Sequence, residues 1–157
     1  MEGVKERRIL VAVDESEQSM YALQWAVDNL QLGPVDTLIL CNVKRLPVAF
    51  EGLGGPGTVL TPEVSLSLEK YQERVSEDVM KKAREICGGS QVKVEEKIVS
   101  GDARDSLCEA VKKFGVDFLV IGSHGYGTIK RTFLGSVSDY CAHHAKCPVL
   151  IVKKPHH

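Results

Sequence analysis

The chain has 157 residues, the size of one domain, and can bury roughly 70% of the surface its unfolded form exposes, so it needs no disulfide or metal staple. Twenty Lys and Arg against 21 Asp and Glu leave a net charge of −1, which excludes nucleic acid or an anionic membrane as a partner held by bulk charge; an anionic ligand must be held locally. Hydrophobic residues at 43% and charged residues at 26% are those of a globular protein, and no apolar run is long enough to cross a bilayer.

Ile9 to Val13 opens the chain as a short aliphatic run, the pattern of a strand buried on both faces. Ser16 can cap the first helix, whose apolar positions Met20, Leu23, Val27 and Leu30 repeat at helical spacing. A second buried strand is predicted over Thr37 to Val43. Arg45 to Thr61 is the one long irregular stretch, and Thr61 followed by Pro62 opens a second helix with Leu68, Tyr71, Val75, Val79, Ala83 and Ile86 on its inner face. That helix ends at Gly88 and Gly89, with Lys81, Lys82 and Arg84 in its last turns.

Val92 to Val99 alternates instead, with Val92, Val94 and Ile98 separated by charged residues, as expected of an edge strand with one wet face. Asp102 caps a third helix carrying Leu107, Ala110, Val111 and Phe114 inward. Phe118 to Ile121 is a fourth strand. Ser136, with Asp139 in the first turn, caps a fourth helix that runs to about Ala145, and Pro148 leads into a last strand over Val149 to Val152. Strict alternation with short links predicts a single α/β domain, a doubly wound open sheet of five parallel strands with four helices.

The five cysteines are an odd number without a CxxC, and MEGVKERRIL lacks a secretory apolar segment, so a reduced, cytoplasmic setting is expected. Cys141, His143, His144 and Cys147 cluster in sequence, but Cys147 precedes Pro148, where the helix has ended; small buried cysteines beside exposed histidines are the better reading, and no protein-held metal is expected.

Open parallel sheets bind ligands beyond the carboxyl ends of their strands. The fourth strand's end is the richest, Ile121-Gly122-Ser123-His124-Gly125-Tyr126-Gly127, followed by Gly135-Ser136-Val137-Ser138 at the start of the last helix. Glycines admit a phosphate close to the backbone, a helix start supplies unpaired N–H donors, and Ser136 and Ser138 add hydroxyls, with Lys130 and Arg131 nearby in sequence. The same glycines could equally serve only a tight turn and a helix start. GxxxxGK[ST] is absent, and the literal GxGxxG of Gly52 to Gly57 lacks its strand-turn-helix setting.

The spacing Gly122-x2-Gly125-x9-Gly135-Ser136, together with ILVAVDESEQS, LCNV, GDARDSL and VIGSHGYGTIKRTFLGSVSDYCAHHAKCPVLIVK, resembles the ATP-binding branch of the universal stress protein family over essentially the whole chain. The resemblance implies strand order 3-2-1-4-5, a flavodoxin-like arrangement with the switch point between the first and fourth strands. It implies ATP or AMP as ligand: Val13 and Val43 hold adenine through backbone groups and apolar contact, and Ala12 lines the same wall. Asp14 lies near the ribose or a metal-bound phosphate, Ile121 beside the sugar, Gly122 and Gly125 by the ribose and α-phosphate, and Gly135, Ser136, Val137 and Ser138 by the later phosphates. Mg²⁺ or Mn²⁺ is carried by the phosphates rather than by a protein cage.

His124 has no assignable nucleophile or orienting third group, so no catalytic residue is expected. The readings that remain are a nucleotide-binding stress-response regulator signalling to an unknown protein partner, a slow ATP hydrolase using the same residues, and a redox-linked chaperone. Val149, Leu150, Ile151 and Val152 form a charge-free edge strand in the implied order, and a homodimer through that strand is expected.

Overall fold

The computed structural model describes residues 5–45, 61–124 and 135–155. The elements run β1 (Arg8–Ala12), α1 (Glu17–Asn29), β2 (Thr37–Lys44), α2 (Pro62–Cys87), β3 (Lys93–Ser100), α3 (Ala103–Lys113), β4 (Phe118–Gly122), α4 (Ser136–His144) and β5 (Val149–Val152). All strand pairs are parallel and the order is β3-β2-β1-β4-β5, so the chain reverses its winding between β1 and β4, as expected.

Each strand side chain goes to one of two cores, because successive residues point to opposite faces. Ile9, Val11, Leu38, Leu40 and Val120 pack with Ala22 and Leu23 of α1 and Val79 and Met80 of α2. Leu10, Ile39, Cys41, Leu119 and Ile121 pack with Leu107, Ala110 and Val111 of α3 and Cys141 of α4. Among the described residues no helix is long and apolar enough to cross a membrane.

Three helix starts form as expected from their cap residues. Ser16 accepts from the Ser19 N–H, Thr61 from the Val64 N–H, and Asp102 from the N–H groups of Arg104 and Asp105. The fourth differs. Gly135 is the cap residue, with extended φ −67° and ψ 159°, and Ser136 is already helical.

Two burial expectations also change. Tyr71 is 57% exposed, whereas Val79 and Ala83 are buried and Val75 and Ile86 pack against the core as expected, joined by Ser76, Met80 and Cys87. At 26 residues α2 is about 39 Å long, so it overshoots the sheet and its first turns stand beyond the strand ends. Val94 and Ile98 of β3 are 38% and 48% exposed, and only Val92, just before the strand, is buried, because α2 does not reach over the sheet edge.

At the opposite end of the sheet Asp36 is 4% exposed and accepts from Arg7 Nε at 3.1 Å, Arg7 Nη2 at 2.9 Å and the Gly33 N–H at 2.9 Å. Arg7 Nη2 also donates to the Leu30 carbonyl at 3.0 Å, so one ion pair ties the chain before β1 to the end of α1 and the start of β2. The hydrogen bonds from Arg7 hold the Asp36 carboxyl down to about 2. A depressed acid contributes stability above its ordinary value near 4 and loses it as pH falls through the folded value, here between about 4 and about 2. Urea unfolding is therefore expected to show Asp36→Asn less stable than the unaltered chain by roughly 2 kcal/mol near neutral pH, with the gap closing across that acid window.

Candidate functional site

The expected site residues that are described come together. Ala12, Val13, Asp14, Val43, Ile121, Gly122, Gly135, Ser136, Val137 and Ser138 all line one cavity of about 840 Å³ at the carboxyl ends of the strands. Gly125, Lys130 and Arg131 lie outside the described residues, as does the Gly52 to Gly57 run.

The start of α4 is pinned to the end of β4 by a single carbonyl. The Gly135 N–H donates to Ser123 O at 2.6 Å, and the Ser138 hydroxyl lies 3.0 Å from both Ser123 O and Gly135 O. Ser123 itself donates its N–H to Val152 O at 3.0 Å, so β4, β5 and α4 meet at this residue. The first intrahelical bond runs from Asp139 N–H to Gly135 O at 2.9 Å, leaving the N–H groups of Ser136, Val137 and Ser138 ahead of it, the ordinary anion-binding end of a helix. Ser136 is exposed and offers its hydroxyl to the cavity, whereas the buried Ser138 hydroxyl is spent on backbone carbonyls and contributes only its N–H.

A packing reason emerges for each glycine. A Cβ at Gly122 would meet Gln18 O at 2.9 Å and Ser19 N at 3.3 Å, backbone atoms in the first turn of α1. A Cβ at Gly135 would meet Ser123 O at 2.9 Å. Both glycines allow close approach of one element to another and thereby shape the cavity wall.

The other end of the cavity divides its polar groups between Val13 and Val43. Val13 donates its N–H to Cys41 O at 2.9 Å, and its carbonyl accepts from Asn42 Nδ2 at 2.9 Å. Asn42, 3% exposed, accepts in turn from the Ser76 hydroxyl of α2 at 2.7 Å. Val13 is thus largely committed to the fold and offers chiefly its side chain. Cys41 faces β1 with its carbonyl, so Val43, two residues on, turns its N–H and C=O to the same side beyond the end of β1, open to the cavity.

Asp14 is partly structural. Its Oδ1 accepts from the Ser16 N–H at 2.8 Å and from the Ser16 hydroxyl, and its own N–H donates to Ser19 Oγ at 2.9 Å. The carboxylate still lines the cavity. His124 places Nδ1 2.9 Å from Ser123 Oγ, and its buried Nε2 has no hydrogen-bond partner among the described residues. Among the described residues no third group orients the imidazole into a nucleophile–base relay with Ser123.

The cavity wall includes further residues that sequence reasoning missed. Asn42 comes from β2, Tyr71, Ser76 and Lys82 from α2, and Arg104 from the first turn of α3. Asn42 had one legible signal, an amide inside the apolar run LILCNV. Nothing local marked Lys82 or Arg104, because their place depends on how far α2 overshoots and where α3 begins. Arg104 is held by Asp102 at 3.4 Å and lies over the Tyr140 ring at 5.7 Å.

The cysteines are separate from this polar chemistry. Burial pushes the Cys41 and Cys141 thiols up to about 12 and, with Glu96 adding, Cys87 to about 11, so they remain protonated at neutral pH. Cys141 is buried while His143 and His144 are exposed, as expected, and His144 stacks on Tyr140 at 4.0 Å. Among the described residues no group of three or more His, Cys, Asp or Glu could hold a metal ion.

The fold and the cavity together define a doubly wound, flavodoxin-like α/β domain with its opening at the strand reversal. The model of the universal stress protein family matches residues 6–153, and the chain belongs to that family. It is 34% identical over 162 residues to universal stress protein PHOS32 of Arabidopsis thaliana, covering 95% of this chain but 65% of that protein, so the chain spans just under two thirds of that relative's length. Among solved structures, MJ0577 is similar with a TM-score of 0.78 at 24% identity, covering 96% of this chain and 98% of that one. A universal stress protein family member from Arabidopsis thaliana with AMP bound is similar with a TM-score of 0.69 at 23% identity, covering 95% and 92%.

Proposed function

We propose that this protein binds an adenine nucleotide, ATP or AMP, and acts as a homodimeric, cytoplasmic stress-response regulator whose occupancy is read by a protein partner. The observation that carries the reading is the convergence, in one cavity, of the leading N–H groups of α4 with the backbone edge of Val43 across the β1–β4 reversal, none of them bonded among the described residues. The AMP bound by the Arabidopsis relative supports the choice of base. Adenine would lie against Ala12, Val13 and Val43 and bond to Val43, with Ile121 beside the sugar. The phosphates would meet the N–H groups of Ser136, Val137 and Ser138 and the Ser136 hydroxyl, with Gly125 also near them by family likeness. Mg²⁺ or Mn²⁺ would ride on the phosphates, with Asp14 among the carboxylates in the wall. The dimer would form through β5, whose edge carries no charge.

Binding is favoured over turnover because His124, the imidazole in the wall, has no orienting third group among the described residues. The burial of Cys41, Cys87 and Cys141 weighs against a redox role for those three thiols. Slow hydrolysis has one observation in its favour, the His124 Nε2 without a hydrogen-bond partner among the described residues. Isothermal titration with ATP and with AMP, alongside phosphate release followed over hours at equimolar protein, tests the reading. Saturable binding of one nucleotide per chain without repeated turnover is expected. Absence of binding to either nucleotide would overturn it, and multiple turnovers abolished by His124→Ala would replace it with a hydrolase.

A further inference from the structure

The β3 edge carries a self-complementary pattern. β3 ends the sheet on the side away from β5. The Lys93 N–H donates to Asp36 O at 3.2 Å, so Lys93, Glu95, Lys97 and Val99 turn their backbone groups toward β2, and Val94, Glu96 and Ile98 turn theirs outward. The outward-bonding residues place two exposed apolar side chains, Val94 and Ile98, on either side of Glu96, which pairs with Arg84 of α2 at 2.7 Å. On the other face Glu95 and Lys97 stand 39% and 37% exposed.

We propose that β3 pairs antiparallel with β3 of a second copy of this chain, about a two-fold axis through Glu96. Antiparallel pairing requires outward-turned residues on both strands to face each other, so the available registers differ by steps of two. The register centred on Glu96 sets Val94 opposite Ile98 and Glu95 opposite Lys97, twice each by symmetry. One step in either direction sets Glu95 against Glu95 or Lys97 against Lys97. The only like pair in the favoured register is Glu96 with Glu96, and each of those carboxylates already has its Arg84. Charges on an edge strand ordinarily repel other strands. On β3 their order disfavours the two adjacent registers and leaves the Glu96-centred one with opposite charges paired. The contact is independent of nucleotide and of β5.

Charge reversal breaks the 3.9 Å pair between Glu95 and Lys97 and, at Glu95, the 3.5 Å pair with Arg8; exposed pairs of this kind contribute at most about 1 kcal/mol, so the fold is expected to persist. Sedimentation velocity of the whole chain at about 100 µM suits a contact smaller than the ~1,000 Å² of a stable interface. Glu95→Lys and Lys97→Glu each place like charges across the axis, and each is expected to lower the average sedimenting mass about two-fold or more. Mixing the two variants in equal amounts puts lysine opposite glutamate at both positions and is expected to restore the heavier species. Equal masses for the unaltered chain and Glu95→Lys, or a fall that mixing does not reverse, would overturn the proposal.

Discussion

A Gly135→Val chain is expected to bind ATP at least about 100-fold more weakly than the unaltered protein while keeping its sheet. The added Cβ would stand 2.9 Å from Ser123 O and 3.3 Å from His124 Cα, both backbone positions that cannot rotate away. Relief requires the start of α4 to move off the end of β4, which breaks the 2.6 Å bond from the Gly135 N–H to Ser123 O and turns the first N–H groups from the cavity. Hydrogen bonds to a charged group contribute about 1.5–3 kcal/mol each, so misdirecting two of them accounts for about 3 kcal/mol, or ~100-fold in affinity. The strain costs about 1–3 kcal/mol of stability, less than a domain of this size ordinarily holds. Titration calorimetry and thermal unfolding on the same sample separate the two effects. An unchanged dissociation constant would remove the α4 start from the phosphate site.

Gly122→Val is expected to act on the fold first. Its Cβ would press on Gln18 O at 2.9 Å and Gln18 C at 3.0 Å, and valine adds two methyl groups beyond that point. β4 and α1 are central, and Leu119 and Val120 just before Gly122 are fully buried, so neither element has room to retreat. Overpacking of this kind costs about 3 kcal/mol, which lowers the melting temperature of a domain this size by roughly 6–12 °C. Nucleotide affinity measured below the transition should fall less than in Gly135→Val, because the start of α4 keeps its anchor. A melting point within about 2 °C of the unaltered chain would show that α1 yields at Gln18, contrary to the packing seen.

These two glycines show what a sequence motif can and cannot say. Their spacing marked the strand end and helix start, and the structure brings both to one cavity. The reason each must be glycine lies in the approach of α1 to β4 and of α4 to Ser123, distances with no trace in a linear pattern. The strands were legible because runs such as LILCNV are buried on both faces, which periodicity reports directly. Three caps were legible because Ser16, Thr61 and Asp102 act on N–H groups two or three residues away.

Legibility fails where a residue's role depends on a distant element. Ser136 looked like a cap, but the cap residue is Gly135, and Ser138 is the serine that closes the turn through a carbonyl fifteen positions earlier. Val94 and Ile98 read as an inner face, and alternation alone cannot tell whether a helix reaches far enough to cover it. Asn42, which holds the Val13 carbonyl, reaches it only by folding.

The bond from Gly135 to Ser123 also sets the terms on which this domain can change. The segment from His124 to Gly135 departs and returns at one hydrogen bond, so its ends are clamped whatever lies between them. Closing a loop costs little more when the loop grows, about 0.6 kcal/mol for each doubling of length. Insertions and deletions between those two points therefore leave β4, β5 and α4 in register. The sheet end is thus held together by a contact that does not depend on the length of that stretch.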